Sequence, residues 1–270
     1  MKTSYISEMT WESFRDRVDD KAVALIPMGS MELEGHHLPL GVDTIVAEGI
    51  ARRLAGETGL LIAPALPVGY SKWFEPFPGT LTLEMETLIK VLREMAAGLI
   101  GYGIRRILFL NAHRGNNAAI ETASRSLVAE HDVRIALLSV WKMANDLTGA
   151  SPGMIAEGKF THAGEIMTST VMALAPDTVQ HEKIAPDNPR SPKASAFTVK
   201  NSLGEIEFRD SVQVLYQDLR DITTSGVMGD PTGANAKKGE AVLKLVTDYT
   251  RAFIQELREL PIPSCSTDLC

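Results

Sequence analysis

Apolar runs of strand length alternate along the chain with apolar residues at helical spacing. Ala22 to Pro27 is a continuous apolar run ending just before Gly29, the pattern of a buried strand. Ile45, Ile50, Ala51 and Leu54 then recur at helical spacing, with Gly56 and Gly59 marking the end. Leu60 to Val68 reads as a second strand. Met85 to Leu99 carries Leu88, Val91, Leu92 and Met95 on one helical face, and Gly101 and Gly103 stop it. Arg105 to Leu110 predicts a third strand, Asn117 to Glu130 a helix, and Val133 to Val140 a fourth strand. A helix over Glu165 to Leu174 follows. After a polar stretch, Ser202 to Val214 has the pattern of a hairpin with a turn at Leu203-Gly204. Asp230-Pro231 suits an N-cap and first turn for a closing helix that runs to about Leu260.

Strands alternating with helices of this length imply an α/β fold with a mostly parallel sheet flanked by helices. No internal repeat or low-complexity linker breaks the chain, so residues 1–260 read as one domain and 261–270 as a C-terminal tail. In such sheets ligands bind beyond the carboxyl ends of the strands. The polar clusters fall there: Gly29 to Asp43 after the first strand, Gly69 to Thr80 after the second, Asn111 to Asn117 after the third, and Trp141 after the fourth.

Charge narrows the function classes. Lys plus Arg is 27 and Asp plus Glu is 34, a net charge of −7. That balance disfavours nucleic acid, which calls for a basic footprint, and leaves no polybasic segment for an anionic membrane. No apolar stretch is long enough to span a bilayer, and the polar N-terminus shows no signal peptide. The expected compartment is the cytoplasm, and Cys265 and Cys270, both in the tail, read as free thiols there.

Three clusters carry candidate chemistry. The densest runs from Gly29 to Asp43 and holds Glu32, Glu34, His36, His37 and Asp43. Carboxylates and neutral imidazoles are the ligands that suit Zn, Mn or Fe. In extended backbone Glu32 and Glu34 point to one side; His36 joins them only if extension continues through Gly35. A solvated polar loop accounts for the same spacing. The second cluster, Asn111 to Asn117, places His113 directly after an apolar strand and before a helix start; a capped helix with an incidental histidine is the plainer account. The third, Thr161 to Glu165, offers His162 and Glu165 as ligand, acid or base, or simply as polar groups suited to a helix N-terminus.

Taken together, these motifs resemble the creatininase (creatinine amidohydrolase) family from about residue 20 to about residue 245. The family's G-S-x-E-Q-H-G-P-H-L-P-L-x-x-D is matched in register by Gly29, Ser30, Glu32, Gly35, His37, Leu38, Pro39, Leu40 and Asp43. N-G-H-x-x-N is echoed by Asn111, His113 and Asn116, and H-A-G-E-x-E-T-S by His162, Ala163, Gly164, Glu165, Thr168 and Ser169. F-P-G-T is present as Phe77 to Thr80, and a late G-V-x-G-D-P matches Gly226, Val227, Gly229, Asp230 and Pro231.

The resemblance implies a three-layer α/β/α fold and a binuclear centre of divalent ions, Mn or Zn. It implies Asp43 as the bridging carboxylate, Glu32 and His113 on one ion, and His162 as the acid/base. The second ion takes a histidine in the family where Glu34 stands here. Its remaining carboxylate falls to Glu165, since Gly115 has none to give. His36 is the alternative to Glu34; otherwise His36 and His37 back the ligands. The family usually carries Glu-His where this chain has Trp73-Phe74, and Met167 replaces the second Glu of the third motif. Trp73, Phe74, Arg114, Asn116 and Trp141 are the expected substrate contacts.

The function expected is hydrolysis of a small, polar, carbonyl-bearing ring, a cyclic amide or a cyclic polyol ketone such as a keto-inositol. Creatinine itself, or a formamide, is the alternative substrate. An isomerase or aldolase on keto sugars would use the same Lewis acid without adding water. A metabolite-binding protein would need a broken metal site. The family also implies a homo-oligomer, a hexamer.

Overall fold

A computed structural model describes residues 3–151, 153–193, 195–201 and 204–263. Leu203, proposed at a turn, and Cys265 and Cys270 lie outside them. Four strands form the central sheet: β1 (Val23–Met28), β2 (Leu60–Ile62), β3 (Arg106–Asn111) and β4 (Arg134–Ser139). All pair in parallel, in the order β2-β1-β3-β4. β1, β2 and β3 are buried along their whole length, which is why they read as apolar runs rather than alternating ones.

Alternate residues feed opposite faces. Val23, Leu25, Leu108 and Leu110 point to one core, covered by α2 (Val42–Leu54), α5 (Val140–Gly149), α6 (Glu165–Leu174) and α8 (Ala236–Glu259). Ile26, Met28, Ile107 and Phe109 point to the other, covered by α3 (Met85–Gly101) and α4 (Asn117–Glu130). The result is a three-layer α/β/α sandwich, as expected. A short helix, α1 (Trp11–Arg15), precedes the sheet, and Phe14 packs with Ala22 and Ala24 of the chain entering β1.

The strand order places the site. β1 and β3 are neighbours, yet β1 continues into α2 on one face and β3 into α4 on the other. The chain thus diverges between their carboxyl ends, where open α/β sheets form their binding crevice. Met28 and Asn111, the last residues of the two strands, are paired directly. A second sheet, β5 (Thr198–Val199), β6 (Glu205–Phe208) and β7 (Ser211–Val214), is antiparallel and is followed by α7 (Leu219–Ile222).

The hairpin expected before Val214 is formed by β6 and β7 and turns at Arg209-Asp210, both at positive φ, the two-residue geometry that matches strand twist. Three expectations are corrected. The second strand ends at Ile62; beyond it only an isolated bridge joins Leu66 to Met28. Asp230 does cap Pro231–Gly233, but only as a single 3-10 turn. The closing helix starts at Ala236, where Asn235 accepts from the Lys238 N–H. α5 was not expected: it follows β4 with no intervening loop.

Candidate metal centre

The loops after β1 and β3 bring Glu32, Asp43 and His113 together, all buried. A second group, Glu32, Glu34 and His162, adjoins it. In each, one potential ligand atom per residue lies within 4.8 Å of the others. The carboxylate common to both groups is Glu32, where the resemblance implied Asp43.

Hydrogen bonds fix how these side chains face. His113 donates from Nε2 to the Tyr70 carbonyl at 2.9 Å, and a carbonyl can only accept. Nδ1 is therefore the nitrogen turned inward, 3.1 Å from Asp43 Oδ2 and 3.3 Å from Glu32 Oε2. A carbonyl that holds the outer N–H and frees the inner lone pair is the usual support of a metal-ligating histidine. Ser71 donates to Glu32 Oε2 at 2.5 Å, Ser30 to Asp43 Oδ2 at 2.8 Å, and Trp141 Nε1–H to Asp43 Oδ1 at 2.8 Å. His162 donates from Nε2 to the Leu33 carbonyl at 2.9 Å, with Glu34 Oε2 3.4 Å away.

Glu34 is different. It is 1% exposed, and among the described residues neither carboxylate oxygen has a hydrogen-bond partner. Buried polar atoms are nearly always partnered, so this carboxylate is arranged for a cation or must hold a proton. The electrostatics agree. Burial, then the neighbouring Asp43 and Glu32, push Glu34 well above the usual carboxylate range. Burial also lifts Glu32 to about 7 against the pull of His113. For His113, burial alone would lower the pKa, but Glu32, Asp43 and the Tyr70 carbonyl outweigh it and raise it to about 9. A divalent ion would answer this crowding of negative charge: three carboxylates, an inward imidazole nitrogen and an orphaned oxygen pair suit Mn or Zn.

The centre opens into a cavity of about 620 Å³. Trp73, Phe74, Trp141 and Arg114 line it, together with Asn111, Ser139, Phe160 and Met228. Two of the aromatics cover the histidines: Trp73 stacks on His113 with ring centroids 5.9 Å apart, and Phe74 on His162 at 5.0 Å. The third, Trp141, stacks on Phe160 at 5.3 Å.

Several proposed residues are placed elsewhere. Glu165 is not brought to either ligand group. Its carboxylate is held by Lys238 Nζ and by the Glu157 N–H, and it clamps α6 to α8. Gly35, at φ 72°, turns the chain so that His36 is exposed and parts company with Glu34. His37 is fully buried and donates to or accepts from Thr168 Oγ1 at 2.8 Å; burial, then His36, lowers it to about 4, keeping it neutral. Asn116 does not line the cavity. It accepts from the Tyr70 N–H and donates to the Gly29 carbonyl, so it laces the loops after β1, β2 and β3 together.

Sequence reasoning missed Ser71, Tyr70 and Leu33. A serine in a loop carries no distinguishing pattern, and the other two act through backbone carbonyls. Ser30 was matched by motif, and its bond to Asp43 supplies the reason.

Comparison with known proteins places this geometry. The creatinine amidohydrolase family profile, Creatininase, matches residues 7–254. A creatinine amidohydrolase from Pseudomonas putida is 26% identical over 94% of this chain and 97% of its own. A 3-dehydro-scyllo-inosose hydrolase from Thermotoga maritima is also 26% identical, over 94% of this chain and 84% of its own. A solved Mn form of creatininase superposes with a TM-score of 0.76 at 25% identity, covering 96% of this chain and 100% of that one.

Proposed function

Since the chain belongs to the creatininase family and is a metal-dependent hydrolase, we propose that it opens a small polar ring bearing a carbonyl, a cyclic amide or a cyclic polyol ketone. The two relatives above bracket that range, one named for creatinine and one for a keto-inositol. The observation that carries the reading is Glu34, whose two buried, unpartnered oxygens sit beside Glu32 and His162 at the floor of the cavity.

Two divalent ions, Mn or Zn, would be held by this floor, one by Glu32, Asp43 and His113 and the other by Glu32 and Glu34, with His162 beside it kept for proton transfer. Such ions supply polarisation of a carbonyl and acidification of water. The chain's own groups do the rest. Ser71, Ser30 and Trp141 fix the carboxylate oxygens they touch and leave the others free. Trp73 and Phe74 lie over the two imidazoles and keep bulk water off them. His162, lowered by burial against the opposing Leu33 carbonyl, is a neutral imidazole at physiological pH. With its Nε2–H committed to Leu33, Nδ1 is the basic atom that accepts a proton and returns it to the leaving atom.

Trp73 and Phe74 present apolar faces suited to the C–H surface of a sugar-like or saturated amide ring. The test is product mass. Purified protein should carry a divalent transition metal, and a metal-loaded screen of cyclic amides and oxidised inositols should yield a product heavier by one water. Products of unchanged mass would indicate isomerisation. Metal-free protein with no metal-dependent shift in melting would remove the reading altogether.

A further inference from the structure

The charges around the cavity are sorted by sign. Among the described residues its only carboxylates are Glu32, Glu34 and Asp43, the candidate ligands at the floor. Every other charged lining residue is a cation: Arg114, Lys142, Lys159 and Lys200. This runs against composition, since the chain has 34 acidic residues to 27 basic ones. The four also come from four separate segments. Arg114 lies just after β3, Lys142 in the first turn of α5, Lys159 in the chain before α6, and Lys200 directly after β5. A solvated face of one helix or strand does not explain such convergence.

Three of the four cations are paired, and all three partners stand outside the cavity. Arg114 meets Glu205 at 2.7 Å, Lys200 meets Glu207 at 2.6 Å, and Lys142 meets Asp146. These pairs are solvent-exposed, a class that is weak and readily exchanged. Among the described residues Lys159 has no carboxylate within ion-pair distance. Neutral donors stand among them: Asn117, Asn145 and Thr161. Once the floor carboxylates are engaged by cations, nothing anionic remains among the described residues of the cavity wall to oppose this collar.

Building on the hydrolase reading, we propose that the ring substrate carries an anionic oxyacid group, a carboxylate or a phosphate, and that Arg114, Lys159 and Lys200 bind it at the cavity mouth while the carbonyl faces the floor. The collar sets which rings are accepted. A neutral ring of the same shape enters without an anchor, and a cationic one is repelled.

Matched pairs of ligands test this by calorimetry on the metal-loaded protein. One arm compares hydantoin-5-acetic acid with hydantoin, and the other ribose 5-phosphate with ribose. The charged member of at least one pair should bind about tenfold tighter or more, which separates a carboxylate from a phosphate preference. The gap should shrink as salt is raised and collapse in the variant Lys159→Gln/Lys200→Gln, whose metal content stays at the wild-type level. Equal binding within both pairs overturns the proposal, and so does a gap that survives in the double variant, since the anion would then be reading the ions alone. Loss of metal from wild-type protein would instead count against the hydrolase reading beneath it.

Discussion

Glu34 pits burial against charge more sharply than any other residue of the site. Without a cation its carboxylate has no donor to turn to, so the folded chain keeps it protonated. Glu32, held near 7, and His113, held near 9, lean the same way. All three bind protons more tightly folded than unfolded. Their stabilisation is complete below the ordinary values of 4.5 and 6.5 and is lost as pH rises through the folded ones. Each unit of such a shift corresponds to about 1.4 kcal/mol. His37 acts oppositely, but its contribution fades only below 6.5. From pH 6.5 to 9, therefore, the melting temperature of chelator-treated protein should fall, while the increment given by added metal should grow as ligands shed their protons. Glu34→Gln should raise the melting temperature of the metal-free form at the alkaline end and abolish most of the metal increment. A metal-free melting temperature that climbs over this window would show that these groups are not held protonated.

Among the elements, those with a clear local period were legible from sequence and those governed by distant partners were not. α4 and α6 fall over the expected residues, Asn117–Glu130 and Glu165–Leu174, because their apolar positions repeat cleanly between polar loops. The start of α8 was misread because Asp230-Pro231 has the chemistry of a helix start, and the chain spends it on one short turn. Glu165 stands away from the ligand groups for a related reason. Only two residues separate it from His162, but its partner is Lys238, 73 positions away on α8. The turn between β3 and α4 shows the opposite case, where a sequence departure has a local steric basis. A Cβ on Gly115 would collide with the Tyr70 carbonyl and His113 Nε2, on the hydrogen bond that turns the imidazole inward. Gly115→Ala should leave α4 intact by circular dichroism, yet weaken metal binding about 10- to 100-fold in a chelator competition, the usual cost of losing a ligand's outer support. Unchanged affinity would mean that the turn yields and the glycine is incidental.

At the scale of the whole molecule, the order β2-β1-β3-β4 makes the site. Strand order is a tertiary fact, invisible in any local pattern, although the polar clusters already marked the correct rim. At the opposite end Arg106, at the start of β3, donates to the carbonyls of Asp20, Leu257 and Leu260, so the closing helix is tied beneath the sheet and well away from the chemistry. The same architecture distributes the three tryptophans unevenly. Trp11 is 72% exposed, whereas Trp73 lies on His113 and Trp141 donates to Asp43. An imidazolium stacked on an indole drains its excited state; a neutral, ligated imidazole does so far less. With His113 raised to about 9, an ion that takes its inner nitrogen displaces a proton at neutral pH, so binding should brighten Trp73 and leave the exposed Trp11 unchanged. A titration with Zn, which is optically silent, should show a blue-shifted gain in fluorescence that saturates at the bound stoichiometry and disappears in Trp73→Phe. Such a gain would make Trp73 a gauge of how full the centre is, readable in light without any substrate at all.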